Sequence, residues 1–106
     1  GRSLLHLSLR SNDITAVPIM LCAKCGSLRT LDLSLNKLPS LPPIIGNLVN
    51  LGHLNVAGNR LASLPSNIGW CRQLSFLNLA DNALVKLPHT MARLEGLQEL
   101  QLSGNK

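Results

Sequence analysis

Residues 51–73 read LGHLNVAGNRLASLPSNIGWCRQ and residues 74–96 read LSFLNLADNALVKLPHTMARLEG, so one pattern of aliphatic residues, Asn and Pro returns after 23 positions. The Asn of this pattern recurs along the chain at Asn12, Asn36, Asn59, Asn82 and Asn105, with spacings of 24, 23, 23 and 23 residues. A fixed period of this length indicates a stack of similar units, because one unit alone is too small to bury its apolar side.

Each unit opens with a run of the form Leu-x-x-Leu-x-Leu, and its alternation predicts a strand whose aliphatic side chains all face the core. Stacked units would form a parallel sheet, and the five Asn residues would form a structural ladder that satisfies backbone groups where the strands end. A return segment follows, in which a spacing such as Ile68-x-x-Cys71 favours a short helical or 3₁₀ turn. The sequence therefore predicts an α/β solenoid, with a curved parallel β-sheet on the concave face and short turns on the convex face.

The pattern resembles the 23-residue form of the leucine-rich repeat superfamily, LxxLxLxxNxLxxLPxxIxxLxx, from Leu4 to Asn105. We treat residues 1–106 as one solenoid fragment, with repeats at approximately 4–27, 28–50, 51–73 and 74–96 and a partial repeat at 97–106. The sequence leaves open where the extra residue of the first repeat lies. Neither end carries a recognisable capping unit, so we expect the chain to be a piece of a longer protein.

The resemblance also implies a function, because the LPxxI form is similar to that of cytosolic Ras-pathway scaffold and Scribble-like proteins. It implies a protein–protein interaction module in a cytoplasmic signalling scaffold, with a protein partner on the concave face and neighbouring repeats or domains in the same full-length chain. Two alternatives stay open. The chain could be the substrate-recruiting arm of a kinase, phosphatase, GTPase or ubiquitin ligase whose catalytic domain lies elsewhere, or a passive structural spacer in a large assembly.

The outward-facing strand positions form the candidate binding surface, because they have no expected duty in the aliphatic core. The partner-binding residues predicted on this concave face are His6, Ser8, Arg10, Thr30, Asp32, Ser34, His53, Asn55, Phe76, Asn78, Glu99 and Gln101. Phe76 is the one large apolar side chain among them, and its polar surroundings are typical of an interface anchor. A single exposed Phe is also common on ordinary protein surfaces.

Trp70 is a candidate for a secondary surface. The equivalent positions of the other repeats hold the polar residues Lys24, Asn47 and Arg93, which predicts that Trp70 lies on the convex or flanking surface. Contact with a partner and simple packing over neighbouring residues both remain open for this side chain.

The cysteines and histidines do not form a convincing chemical site. Cys22-x-x-Cys25 could begin a zinc or redox centre, but the remaining Cys71 lies two repeats away. Cys25 and Cys71 also share a column with Leu residues, which favours buried, reduced thiols and hence an intracellular, cytoplasmic location. His6 and His53 are separated by two repeats, or about 10 Å, which is too far for one metal. We expect no metal, cofactor or enzyme active site within this fragment.

The net charge of +5 raises nucleic acid or an anionic membrane as partners. Aromatic residues are only 2% of the chain, which leaves no stacking platform and disfavours nucleic acid. No apolar run approaches the roughly 18 residues that a membrane span requires.

Overall fold

The computed structural model describes residues 5–17 and 26–106, and a five-stranded parallel sheet runs through them. Its strands are β1 (His6–Ser8), β2 (Thr30–Asp32), β3 (His53–Asn55), β4 (Phe76–Asn78) and β5 (Glu99–Gln101). Their order in the sheet is their order in the chain. Within these residues, three 3₁₀ helices, Pro43–Asn47, Ser66–Trp70 and His89–Arg93, each return the chain from one strand to the next. This architecture confirms the predicted solenoid with a parallel sheet and short 3₁₀ turns.

The sequence period sets the register of the sheet. Leu31 of β2 pairs with Leu54 of β3, and Leu54 pairs in turn with Leu77 of β4. All three side chains are fully buried. A slip of one residue would turn this whole row of side chains towards solvent. Because a fully buried Leu contributes roughly 1.5–3 kcal/mol relative to an exposed one, the register is strongly specified. The same register aligns the outward-facing side chains into columns.

The core lies between the sheet and the 3₁₀ helices and is most complete in the middle of the stack. Leu33, Val56 and Leu79, which follow β2, β3 and β4, are fully buried, whereas Leu100 of β5 is 37% exposed. The difference follows from the stacking, because each inner unit is covered on both sides by its neighbours and the last described strand on one side.

Each described 3₁₀ helix directly follows a Pro in an extended conformation. Pro65 has an extended backbone with φ −68° and ψ 147°, and the 3₁₀ helix Ser66–Trp70 begins directly after it. The backbone N–H of Cys71 donates to the carbonyl of Ile68, and both side chains are fully buried in the core. Cys71 is fully buried, and its Sγ lies 3.4 Å from the carbonyl oxygen of Ile45. The motif Cys22-x-x-Cys25 lies outside the described residues.

The 3₁₀ helices of neighbouring repeats approach closely at two buried glycines. A Cβ atom at Gly46 would lie 2.7 Å from the backbone oxygen of Asn67, and one at Gly69 would lie 2.9 Å from that of Thr90. A side chain at either position would therefore push the convex layer apart.

The ladder Asn residues join consecutive repeats. Nδ2 of Asn59 donates to the carbonyls of Val56 in its own repeat and Leu33 in the preceding one, each at 3.0 Å. Its Oδ1 accepts from the backbone N–H of Leu38, also at 3.0 Å. Asn36, Asn82 and Asn105 make equivalent bonds to their own and the preceding repeat. Asn12 is exposed, and its backbone N–H donates to Oδ1 of Asn36.

The turn before each ladder Asn has a left-handed backbone. The residues in this conformation are Ser11, Leu35, Gly58, Asp81 and Gly104, with φ of 61°, 56°, 68°, 57° and 73°. The chain therefore reverses in the same way at the end of every strand.

We expect Asn59→Ala to lower the free energy of unfolding by about 1–3 kcal/mol, because it leaves buried carbonyl and N–H groups without partners. The matched control is Asn47→Ala, at an exposed position whose side chain makes no hydrogen bond among the described residues, where we expect a change within about 0.5 kcal/mol. Chemical denaturation followed by circular dichroism measures both. Equal losses would contradict the structural role of the ladder.

We expect Gly46→Ala to destabilise the chain by about 1–3 kcal/mol, because its methyl group would meet the backbone of the next repeat rather than a movable side chain. Gly52→Ala is the control, since the nearest atom to its added Cβ is 3.7 Å away, and we expect a change within about 0.5 kcal/mol. Thermal and urea unfolding compare the two variants. If Gly46→Ala is as stable as Gly52→Ala, the close approach of the 3₁₀ helices is incorrect.

Candidate functional site

The outward side chains of the strands form a column at the first strand position. Strand pairing places His6, Thr30, His53, Phe76 and Glu99 side by side in that order. Neighbouring strands lie about 4.8 Å apart, so consecutive members of the column can touch. The structure thus brings together residues that are 23 or 24 positions apart in the sequence.

His53 and Phe76 form an aromatic stack at the centre of this surface. Their ring centroids are 4.0 Å apart and their planes differ by 9°. Phe76 is half-buried and His53 is exposed, so the pair presents an apolar platform with a polar edge. The sequence placed the two residues in adjacent positions of one column, but the stack itself depends on side-chain rotamers that the pattern does not specify.

His6 and Thr30 form a second pair in the same column. Nδ1 of His6 and Oγ1 of Thr30 are 2.6 Å apart, within hydrogen-bonding distance. A shallow groove lies beside this pair, lined by His6, Leu7, Ser8, Thr30, Leu31, Asp32 and His53. The groove adjoins the aromatic platform through His53, so the two features form one continuous surface.

The last residues of the strands form a second outward column, and three of them bond to the backbone in a way that the sequence did not predict. Oδ1 of Asn55 accepts from the backbone N–H of Ala57, and Oδ1 of Asn78 accepts from that of Ala80, both at 3.0 Å. Asp32 makes the equivalent bond to the N–H of Ser34 at 2.9 Å. These bonds hold the chain where it leaves each strand, which is a structural role outside the aliphatic core. All three side chains remain partly exposed.

Ser34 is the clearest correction among the predicted contact residues. We expected it to face solvent, but it is 2% exposed. Its Oγ donates to Oδ1 of Asp32 at 2.6 Å, and Nη1 of Arg10 lies 3.4 Å from the same Oγ. The left-handed turn begins at Leu35, and Ser34 just before it is covered by Asp32 and the exposed Arg10. Arg10 and Asp32 are therefore the accessible groups at this point of the surface.

The concave surface carries both signs of charge. Arg10 lies just after β1, Asp32 lies on β2 and Glu99 lies on β5. Oε2 of Glu99 accepts from Nε2 of Gln101 at 2.7 Å. Opposite charges at fixed separations can set the orientation of a partner without giving the surface one dominant sign. Ser8 and Gln101 are exposed at the two ends of the second column.

Trp70 lies on the opposite side of the core, at the end of the 3₁₀ helix Ser66–Trp70. Its side chain is 51% exposed. The guanidinium carbons of Arg72 and Arg93 lie 5.6 and 5.4 Å from its ring centroid, which are cation–π distances. Trp70 therefore lies outside the core, as predicted from its column, and packs against two arginines.

Groups that could bind a metal do not cluster in the part of the chain that the structure describes. No three His, Cys, Asp or Glu side chains within residues 5–17 and 26–106 lie close enough to hold one ion. The same residues contain no helix of the length and apolarity needed to cross a membrane.

The comparisons with known proteins agree with this architecture. The family model for the leucine rich repeat matches residues 2–61. A leucine-rich repeat protein of Leptospira interrogans is 39% identical, with a TM-score of 0.90 over 93% of this chain and 25% of that one. The BIR3–SERK2 complex from Arabidopsis thaliana contains a chain 38% identical, with a TM-score of 0.82 over 94% of this chain and 55% of that one.

A third solved structure, that of PEPR1 with AtPEP1, includes a chain 34% identical to this one. The TM-score is 0.78 over 87% of this chain and 13% of that one. No curated protein matches this chain significantly. The chain spans between an eighth and about half of the length of the three structures that it resembles.

We expect the ring stack to be visible by NMR. The imidazole carbon-bound protons of His53 should resonate upfield of those of the exposed His89, because the face of the Phe76 ring shields them. Phe76→Leu removes the ring current while keeping an apolar side chain, and it should move the His53 resonances downfield. The resonances of His89 serve as the internal control. Unchanged His53 shifts in this variant would contradict the stack.

Proposed function

The chain belongs to the leucine-rich repeat family, and we propose from this premise that it is a protein-interaction module that binds a protein partner across its concave sheet. The observation that carries the proposal is the stack of His53 on Phe76, which adjoins the groove beside Thr30. An aromatic anchor next to exposed polar groups is the composition of an interface hot spot.

Rigidity supports this assignment. The outward side chains of adjacent strands are held in one register, and Asp32, Asn55 and Asn78 are fixed by bonds to the backbone two residues later. Side chains that are already ordered lose less conformational entropy when a partner binds. The surface is therefore suited to recognition of a folded protein without rearrangement.

The comparisons support the same class of function. One similar chain was solved in a complex between BIR3 and SERK2, and another in a structure of PEPR1 with AtPEP1. This chain covers 13% to 55% of those chains and 25% of the Leptospira protein. What a full-length protein would do is therefore a further part of our proposal. We propose that the module is part of a cytoplasmic signalling scaffold. Neighbouring repeats would extend the concave sheet, and any catalytic activity would belong to other domains or partners.

Site-specific photo-crosslinking tests the proposal. A photoreactive benzoylphenylalanine at position 76 replaces one aromatic ring by another on the concave face, and the same group at position 62 replaces the exposed Ala62. In lysate from the source cells, we expect a defined protein to be crosslinked from position 76 and not from position 62. The affinity of that purified protein should fall about tenfold for His53→Ala combined with Phe76→Ala.

Circular dichroism establishes that the concave double variant is folded, and a charge-neutral control tests whether its loss of affinity is specific to the concave face. Ala62→Ser combined with Ala92→Ser alters two exposed positions away from the strands and should leave the affinity unchanged. Crosslinking of the same proteins from positions 76 and 62, or equal affinity of the concave and control variants, would contradict binding across the sheet.

A further inference from the structure

A second surface, on the convex side, combines an exposed apolar shelf with two positive charges. Trp70 is 51% exposed and Val49 is 50% exposed, and both line one shallow depression with Gly46, Asn47 and Asn67. On the other side of Trp70, Arg72 and Arg93 line a neighbouring depression. We call Val49, Trp70, Arg72 and Arg93 the convex patch.

The packing of the 3₁₀ helices holds this patch in place. Gly46 lies beneath the indole, since a Cβ atom there would come within 3.3 Å of Trp70 Cδ1. Gly69 lies beneath the arginine of the next repeat, since a Cβ atom there would come within 3.4 Å of Arg93 Cδ. Each side chain thus lies over the buried glycine of the preceding repeat, and the Arg93 guanidinium carbon lies 5.4 Å from the indole centroid.

The two guanidinium groups have no carboxylate partner within the described part of the chain. The ion pair found there is Lys37 with Asp13, at 3.6 Å. Glu95 lines the same depression as Arg72 and Arg93 without forming an ion pair with either. Guanidinium groups bind carboxylates through paired, charge-assisted hydrogen bonds, so these two are available for such groups from outside.

We propose that the convex patch binds an acidic peptide segment of a partner protein. Its carboxylates pair with Arg72 and Arg93, and an aliphatic side chain next to them packs on the shelf of Trp70 and Val49. Trp and Arg are among the residue types enriched at the positions that dominate binding energy at interfaces. This site is separate from the concave surface and does not depend on it.

A second copy of this chain is a poor occupant of the patch. The chain has 10 basic and only 5 acidic residues, and two of the acidic side chains, Asp13 and Asp32, are already engaged with Lys37 and Ser34. An oligonucleotide could also supply negative charge and a base to stack on Trp70, and the experiment includes it as a competing outcome.

Selection from a random dodecapeptide library displayed on phage tests the proposal with the full chain as bait. We expect the enriched peptides to contain two or more Asp or Glu residues beside an aliphatic residue. Because Trp70 is the single Trp of the sequence and Tyr is absent, tryptophan fluorescence reports this site directly as the synthetic peptides are titrated in. Arg72→Glu combined with Arg93→Glu should weaken their binding by about tenfold or more, with the difference shrinking as salt is raised.

The matched control is Arg60→Glu combined with Lys86→Glu, two exposed positions outside the patch with the same change of net charge. It should retain affinity within about twofold. Circular dichroism and thermal unfolding establish that both double variants are folded. Failure to enrich acidic peptides, equal binding by the two double variants, or a fluorescence response to oligothymidylate but to no selected peptide would each overturn the proposal.

Discussion

The side-chain amide of the ladder Asn connects each repeat to the one before it, and the rest of the structure is built on that connection. The amide of Asn59 donates to a carbonyl in its own repeat and to one in the preceding repeat, and its oxygen accepts a backbone N–H from the preceding repeat. A group with two donors and an acceptor in one plane is needed, and Asn is the shortest side chain that has them. Repetition of this bond fixes the step between repeats and therefore the register of the strands.

Register then determines what the surfaces can contain. Equivalent residues of adjacent repeats lie beside each other, so the residue type in one repeat determines what the equivalent side chain of the next repeat can contact. His53 and Phe76 stack for this reason, although each is an isolated aromatic group in its own strand. On the convex side, Trp70 and Arg93 occupy equivalent positions of adjacent repeats and meet in the same manner. Both candidate binding surfaces thus arise between repeats rather than within one.

The period, the parallel sheet, the 3₁₀ turns and the buried columns could be predicted from the sequence, because they depend on the spacing of residue types and not on individual rotamers. The burial of Ser34 and the backbone bonds of Asn55 could not, because they depend on where each strand ends. The strands are three residues long, so the third outward position lies beyond the strand, directly before the left-handed residue of the turn. A short polar residue two positions before the turn is the sequence signal that would have predicted these Asx-type bonds.

The two surfaces are separated by the closely packed core. Leu54 and Leu77 of the sheet and Ile68 of the 3₁₀ layer are all fully buried between them. A partner on the concave strands and a peptide on the convex patch would therefore approach from opposite sides and would not compete for space. Coupling between them would require the repeats to shift, and the ladder bonds oppose such a shift because it would break several buried hydrogen bonds at once. The fold is thus suited to holding two ligands independently, which is the physical requirement for connecting one protein to another.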